Sequence, residues 1–132
     1  PHVQGNDGAG FVALLKRELN IPILADISTF EEGLAAARAG ADAVSTTLSG
    51  YTPYSRQADN WDEELVRRLA GALSIPVIAE GRIWQPEEAR RALAAGAFAV
   101  VVGSAITRPQ LIAARFVSAI RAHGEVSPGR VE

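Results

Sequence analysis

Two carboxylates stand at equivalent points of a repeated sequence. Ile21-Pro-Ile-Leu-Ala-Asp26 recurs as Ile75-Pro-Val-Ile-Ala-Glu80, so Asp26 and Glu80 each end a short apolar run. A repeat of this size indicates a duplicated supersecondary unit. A carboxylate at the end of a buried strand is partly desolvated, which suits a general acid or base. A structural alternative, a cap or a salt bridge to a neighbouring loop, stays open, but the strand-end position favours catalysis for both.

Glycine-containing turns follow two of the apolar runs. Gly81-Arg82 comes directly after Glu80, and Gly103-Ser104 follows the last apolar run. Glycines let backbone N–H groups approach an anion closely, and a helix beginning at Ser104 would add a positive dipole end. We therefore predict a phosphate site formed by both turns, although each glycine alone could simply end a strand. Arg108 lies just beyond the second turn and could clamp an oxyanion, bind a sugar hydroxyl or pair with one of the two acids.

The segment after the second apolar run is rich in hydroxyl groups. Thr46, Thr47, Ser49 and Tyr51 lie within six residues of one another, a composition that suits hydrogen bonds to a polyol and stacking on an aromatic ring. Such clusters are also common in ordinary turns. We predict substrate contacts here. Lys16, the only lysine in the chain, lies on an amphipathic stretch and is predicted to be a solvated surface residue.

Bulk composition excludes several classes of protein. The 132 residues suffice for one domain, and 48% are hydrophobic and 21% charged, as in ordinary globular chains. A net charge of −2 without a basic stripe argues against a nucleic-acid partner. The chain has no cysteine, which excludes disulfides and cysteine-based metal sites. No apolar run reaches membrane-spanning length. We expect a cytoplasmic protein that handles a small molecule. The two histidines, His2 and His123, lie near the ends of the chain and are not expected to bind a metal.

The pattern of apolar residues alternates between strand and helix periods. Strands are predicted at 21–27, 41–47, 75–81 and 97–103. Helices are predicted at 11–19, 30–39, 62–73, 86–95 and 109–122, between a leading loop at 1–10 and a flexible tail at 123–132. This alternation predicts an α/β fold with a parallel sheet and right-handed crossovers. Four such strands form either an open sheet or half of a (β/α)₈ barrel, and the repeat and the glycine turns after the last two strands favour the barrel.

Several motifs together resemble one enzyme family. Ala25-Asp-Ile-Ser-Thr29, Thr46-Thr-Leu-Ser-Gly-Tyr-Thr52, Pro76-Val-Ile-Ala-Glu-Gly-Arg82 and Val102-Gly-Ser-Ala-Ile-Thr-Arg-Pro109 occur in the same order as in the N-acetylmannosamine-6-phosphate 2-epimerase family. The resemblance covers about residues 7–121. It implies a (β/α)₈ barrel that interconverts N-acetylmannosamine 6-phosphate and N-acetylglucosamine 6-phosphate, in amino-sugar and sialic acid catabolism, without a cofactor.

The resemblance also implies roles for individual residues. A proton would leave C2 of the sugar and return on the other face. Glu80 would lie beside the N-acetyl group and the reacting carbon, as acid–base partner or as electrostatic stabiliser. Asp26 and Arg108 would bind sugar hydroxyls or help to open the ring. The residues expected around the 6-phosphate are Gly81, Arg82, Gly103 and Ser104.

One departure from the family is large. The chain resembles only the C-terminal half of the barrel, strands five to eight, and the family's catalytic lysine lies in the other half; Lys16 does not occupy its position. We therefore expect this chain alone to be inactive. It is a fragment, a truncated gene product, or a half-barrel that pairs with a second copy or with the missing half. A non-catalytic half-barrel that binds sugar phosphate, and another phosphate-binding barrel such as a thiazole synthase or a histidine-biosynthesis relative, remain alternatives.

Overall fold

The computed structural model describes residues 7–124. The first six residues of the predicted leading loop, and the predicted tail beyond Gly124, lie outside the described residues. The elements, in chain order, are α1 (Gly8–Glu18), β1 (Leu24–Asp26), α2 (Phe30–Arg38), β2 (Ala43–Ser45), α3 (Glu63–Ala72), β3 (Val77–Glu80), α4 (Pro86–Ala94), β4 (Ala99–Val101), α5 (Ser104–Thr107) and α6 (Pro109–Gly124). Every predicted helix and strand is present. The strands are shorter than predicted, and α1 begins at Gly8 because Asp7 accepts a hydrogen bond from the Gly10 N–H as its N-cap.

The four strands form one parallel sheet in the order β1-β2-β3-β4. The predicted α/β class is confirmed. Asp26 pairs in register with Ser45, Ser45 with Ile78, and Glu80 with Val101. Because side chains alternate between the faces of a strand, these residues share one face. The carboxyl ends of all four strands meet at one edge of the sheet, where both acids lie.

Helices cover the opposite face of the sheet and form the core with it. One cluster of buried side chains includes Ala25, Val44 and Val77 from the sheet and Leu65 and Leu69 from α3. A second cluster lies around β3 and β4: Trp61, Val66, Ala79, Ile83, Ala92 and Ala97. The apolar runs thus bury every second strand residue under helices. The other face of the sheet carries the predicted chemistry.

The sequence repeat reappears as a repeat of backbone hydrogen bonds. At the end of α2 the Ala41 N–H donates to the Ala36 carbonyl (3.0 Å), and at the end of α4 the Ala97 N–H donates to the Ala92 carbonyl (3.1 Å). Both turns pass through a left-handed glycine, with φ of 98° at Gly40 and 101° at Gly96, which is the usual way to end a helix by a glycine C-cap. The two halves of the sheet are therefore copies of one unit at the level of individual bonds.

Two units divide the chain. The first contains α1 through β4, and the second contains α5 and α6. In the second unit, α5 begins after Gly103, and the Ile106 and Thr107 N–H groups donate to the Gly103 carbonyl. The helix start predicted at Ser104 is present.

Candidate active site

Asp26 and Glu80 lie on the same face and at the same edge of the sheet, as the repeat predicts. They are not neighbours in the sheet, because β2 runs between β1 and β3. Glu80 is half-buried, whereas Asp26 is exposed. The partial desolvation expected for both acids is therefore found for Glu80 and is wrong for Asp26.

The Thr47 hydroxyl joins the two acids across the end of β2. It lies 2.9 Å from Asp26 Oδ1 and 3.0 Å from Glu80 Oε2. The Ser45 hydroxyl lies 2.8 Å from that of Thr47 and 3.2 Å from Glu80 Oε2. A hydroxyl has a single proton to donate, so Thr47 donates to one carboxylate at a time. Two acids and two hydroxyls thus form one polar cluster, and a carboxylate in such a cluster can accept and return a proton.

Thr46 acts on the backbone of Glu80. Its hydroxyl accepts a hydrogen bond from the Glu80 N–H (3.0 Å) and donates to the Glu80 carbonyl (2.9 Å). The Thr46 side chain is only 2% exposed. This hydroxyl was expected to contact substrate, but here both of its hydrogen bonds hold the acid in place.

Arg82 binds the loop after β2. Its Nη1 donates to the Ser49 carbonyl (2.7 Å) and its Nη2 to the Gly50 carbonyl (2.8 Å). Its guanidinium carbon lies 4.1 Å from the centroid of the Tyr51 ring, which is a cation–π contact. The guanidinium predicted to bind phosphate thus shapes the hydroxyl-rich loop, and its role toward an anion stays a prediction.

The loop after β2 uses its other hydroxyls internally. Ser49 donates to Asp62 Oδ2 (2.8 Å), and Asp62 is the N-cap of α3. Tyr51 is exposed, with its ring against Arg82. Two of the four residues predicted to contact substrate therefore remain available. Thr47 lies beside the two acids, and Tyr51 is exposed to solvent.

The predicted phosphate residues divide between the two units. Gly81 directly follows Glu80 and has a φ of 97°, a conformation in which a side chain is strained. Gly103, Ser104 and Arg108 belong to the second unit, in which Gly103 and Arg108 flank α5 as its caps. A turn that only glycine adopts without strain is thus present after β3, and a phosphate site there stays a prediction.

Ser45, which no motif in the sequence singled out, is fully buried and lies within hydrogen-bond distance of both Thr47 and Glu80. The repeat carried a signal for it, because Ala43-Val-Ser45 corresponds to Ala99-Val-Val101 in the second copy. Ser45 carries a hydroxyl where the second copy has Val101, and this difference indicates a polar environment at the end of β2.

Residues 7–124 contain no group of three or more side chains that could hold a metal ion. In the same range, no helix has both the length and the apolar character needed to cross a membrane.

The four-stranded parallel sheet and its helices together define half of a (β/α)₈ barrel. A solved structure, the N-acetylmannosamine-6-phosphate 2-epimerase from Clostridium perfringens, superposes with a TM-score of 0.80 and 50% identity, over 87% of this chain and 50% of that one. A thiamine phosphate pyrophosphorylase from Pyrococcus furiosus superposes with a TM-score of 0.58 and 28% identity, over 72% of this chain and 45% of that one. The predicted half of a barrel is confirmed, and its assignment to strands five to eight stays a prediction.

The family is shown by the sequence. Residues 9–122 match the family model described as "Putative N-acetylmannosamine-6-phosphate epimerase", and the chain belongs to that family. A curated relative from Caldanaerobacter subterraneus, named "Putative N-acetylmannosamine-6-phosphate 2-epimerase", is 58% identical over 101 residues, which cover 76% of this chain and 43% of that protein. The chain spans about half the length of the relatives it matches.

Proposed function

We propose that this chain supplies the C-terminal half of the active site of an epimerase that inverts C2 of N-acetylmannosamine 6-phosphate to give N-acetylglucosamine 6-phosphate. One observation carries the proposal: Glu80, at a barrel strand end, shares a hydroxyl cluster with Asp26, in a chain that is 58% identical to a relative named for this reaction. Barrel enzymes place their chemistry at this edge of the sheet.

Glu80 is one of the two acid–base groups that the proposal requires, and the second, on the opposite face of C2, is the family's catalytic lysine in the other half of the barrel. C2 inversion requires that a proton leave the carbon on one face and that a proton return on the other. Glu80 is held for such a task, because Thr46 fixes its backbone and the hydroxyls of Ser45 and Thr47 reach its carboxylate. A carboxylate fixed in this way stays within reach of a bound sugar without rearrangement.

Binding of the rest of the substrate is assigned to the flanking residues. Asp26 is exposed at the same edge, where it would accept hydrogen bonds from sugar hydroxyls, and Thr47 and Tyr51 would contribute further contacts. Backbone N–H groups at Gly81 suit the 6-phosphate. The roles of Gly103, Ser104 and Arg108 toward phosphate and sugar rest on the family resemblance. The same resemblance implies a place in cytoplasmic amino-sugar and sialic acid catabolism.

A chimera tests the proposal. The half of the Clostridium perfringens epimerase that this chain does not cover would be joined to this chain, and N-acetylglucosamine 6-phosphate formation would be followed. We expect turnover by the chimera and none by this chain alone, because the chain spans about half the length of its relatives. A folded chimera that leaves C2 unchanged would refute the function. Turnover by the chain alone would refute the division of the site between two halves.

A non-catalytic role in binding sugar phosphate is the second candidate. The observation in its favour is the same half-length coverage, since half of a barrel can retain a binding edge. Calorimetric binding of N-acetylmannosamine 6-phosphate to this chain, combined with an inactive chimera, would favour it.

A further inference from the structure

Two residues, Gly81-Arg82, have no counterpart in the first copy of the sequence repeat. The residues that follow them correspond between the copies. Ile27 and Ile83 are both buried, at 3% and 4% exposure. The Ser28 and Trp84 N–H groups each donate at 2.7 Å to a glutamate in the first turn of the next helix. The shared scaffold is therefore complete without Gly81-Arg82, and whatever this insertion does is particular to the second copy.

The inserted pair turns the backbone through two successive left-handed residues. The value of φ is 97° at Gly81 and 55° at Arg82, and Arg82 is the only non-glycine residue with a positive φ among residues 7–124. A bulky side chain in this region of φ is strained, and such strain persists only where the surroundings hold it. The contacts of the Arg82 side chain therefore offset the strain of its backbone.

Arg82 holds three consecutive residues of the loop after β2. Its Nη1 and Nη2 donate to the carbonyls of Ser49 and Gly50, and its guanidinium lies over the Tyr51 ring. A Cβ on Gly50 would overlap Arg82 Nη1, so the loop has a glycine where the guanidinium passes. A planar fork of N–H groups suits a pair of carbonyls, and a lysine ammonium does not reproduce that geometry. The insertion and the loop are therefore fitted to each other.

The Tyr51 ring lies beside the turn that follows Glu80. A Cβ on Gly81 would lie 3.9 Å from Tyr51 Cε2, which is ordinary van der Waals contact. Tyr51 is 64% exposed, so its ring is accessible to a ligand although the guanidinium covers part of it. We propose that Arg82 is a positioning residue that holds the Tyr51 ring at the Gly81 turn, where the ring forms one wall of the sugar-phosphate site. This inference rests on the proposed function, because that function supplies the sugar phosphate.

An aromatic wall at this turn suits a sugar phosphate. The Tyr51 ring presents an apolar surface to the C–H groups of the sugar and a hydroxyl to its polar groups. Arg82 then acts through Tyr51 rather than as the phosphate ligand predicted from the sequence. The two roles differ in what a lysine at position 82 would do. A lysine keeps the charge that binds phosphate, but it lacks the fork that spans two carbonyls.

Hydrogen exchange of this chain tests the positioning without reference to activity. The Gly50 and Tyr51 N–H groups both donate within the loop, at 2.9 Å. We expect both amides to exchange about tenfold faster in Arg82→Gln and in Arg82→Lys, because neither variant can bridge the Ser49 and Gly50 carbonyls. Unchanged exchange of the β2 and β3 amides would show that the variants fold. Arg90→Gln, at an exposed position on α4, is the control and should retain the wild-type rates. Wild-type rates at Gly50 and Tyr51 in either Arg82 variant would overturn the proposal.

Kinetics of the chimera test whether Arg82 acts through Tyr51. We expect Arg82→Gln, Arg82→Lys and Tyr51→Leu each to raise KM about tenfold and to leave kcat within about twofold, because the ring contacts a part of the sugar that does not react. The double variant Tyr51→Leu/Arg82→Gln should lose no more than the single variants, since both remove one contact. A parent KM in Arg82→Lys, or losses that multiply in the double variant, would overturn the proposal. A chimera without turnover would refute the proposed function instead, and the exchange rates of Gly50 and Tyr51 would then decide whether Arg82 positions the loop.

Discussion

At the scale of single residues, threonine hydroxyls decide how the acidic edge is built. Thr46 occupies both backbone groups of Glu80, and Thr47 connects the Glu80 and Asp26 carboxylates. Neither contact is local in sequence, because a crossover of the sheet separates each threonine from each acid that it contacts. The hydroxyls thus fix the position of the Glu80 carboxylate through the fold itself.

Thr46→Val should destabilise the chain by about 1–3 kcal/mol, because it keeps the shape of the side chain but removes both hydrogen bonds to Glu80. The matched control is Thr52→Val. The Thr52 hydroxyl oxygen is buried and has no hydrogen-bond partner among the described residues, so its removal should be neutral or stabilising. Urea unfolding of the two variants measures the difference. Equal losses of stability would contradict the assigned role of Thr46.

Glu32 provides a pH-dependent contact between α2 and the loop after β2. Burial raises the pKa of Glu32, but hydrogen bonds from the Ser28 hydroxyl and N–H and from the Tyr54 hydroxyl outweigh it, and the pKa lies below its ordinary value. The folded state therefore favours the ionised carboxylate. This stability is present above the ordinary glutamate pKa and is lost as the pH falls through the lowered value.

Glu32→Gln should therefore flatten the decline of stability in acid. Urea midpoints at neutral and acidic pH should differ more in the wild-type chain than in Glu32→Gln. Glu31→Gln, at an exposed neighbouring position, is the control and should retain the wild-type decline. An equally steep decline in Glu32→Gln would show that Glu32 does not contribute to the acid sensitivity.

At the scale of elements, the duplicated unit explains why the helices end where they do. Each helix that follows an acid-bearing strand is closed by a left-handed glycine, Gly40 or Gly96, and by the same pattern of hydrogen bonds. The glutamates at the starts of these helices also correspond. Glu32 accepts a bond from the Ser28 N–H, and Glu88 accepts one from the Trp84 N–H.

Gly40 and Gly96 have different neighbours, so we expect their alanine variants to lose different amounts of stability. A Cβ at Gly96 would lie 2.8 Å from the Ala70 Cβ, whereas a Cβ at Gly40 would lie 3.2 Å from Lys16 Cγ. Both alanine variants force a positive φ, at roughly 1–3 kcal/mol. Gly96→Ala should cost more, because Ala70 cannot move without its helix and the lysine side chain can. A thermal unfolding series in which Gly40→Ala is the less stable variant would contradict this reasoning.

Much of the element pattern was accessible from the sequence, for a local reason. Apolar periodicity, the N-caps Thr29 and Asp62 and the glycine at each helix end are determined by neighbouring residues. The contacts of Arg82 were not accessible, because its carbonyl partners lie more than thirty residues away in the sequence. The same holds for Ser49, whose partner is the N-cap of the next helix. Apolar periodicity predicts which face of a strand or helix a side chain lies on. It does not predict which distant group that side chain contacts.

At the scale of the whole molecule, the chain is half of a barrel with its polar edge formed. The two acids, their bridging hydroxyl and the glycine turn after Glu80 are in place in residues 7–124. The relatives are about twice as long, which agrees with the expectation that the other catalytic groups lie in the other half of the barrel. The polar edge of the sheet is thus formed by two copies of one unit. Its proposed function depends on the other half of the barrel, which the relatives contain.

The most direct test of the account is proton exchange at C2 of N-acetylmannosamine 6-phosphate in D₂O, measured by NMR in the chimera. We expect deuterium at C2, and a loss of about 10²-fold or more in Glu80→Gln, because the amide cannot accept the proton. Glu87→Gln, at an exposed position on α4, is the control and should exchange at the parent rate. Exchange at the parent rate in Glu80→Gln would contradict the assignment of Glu80 as an acid–base group.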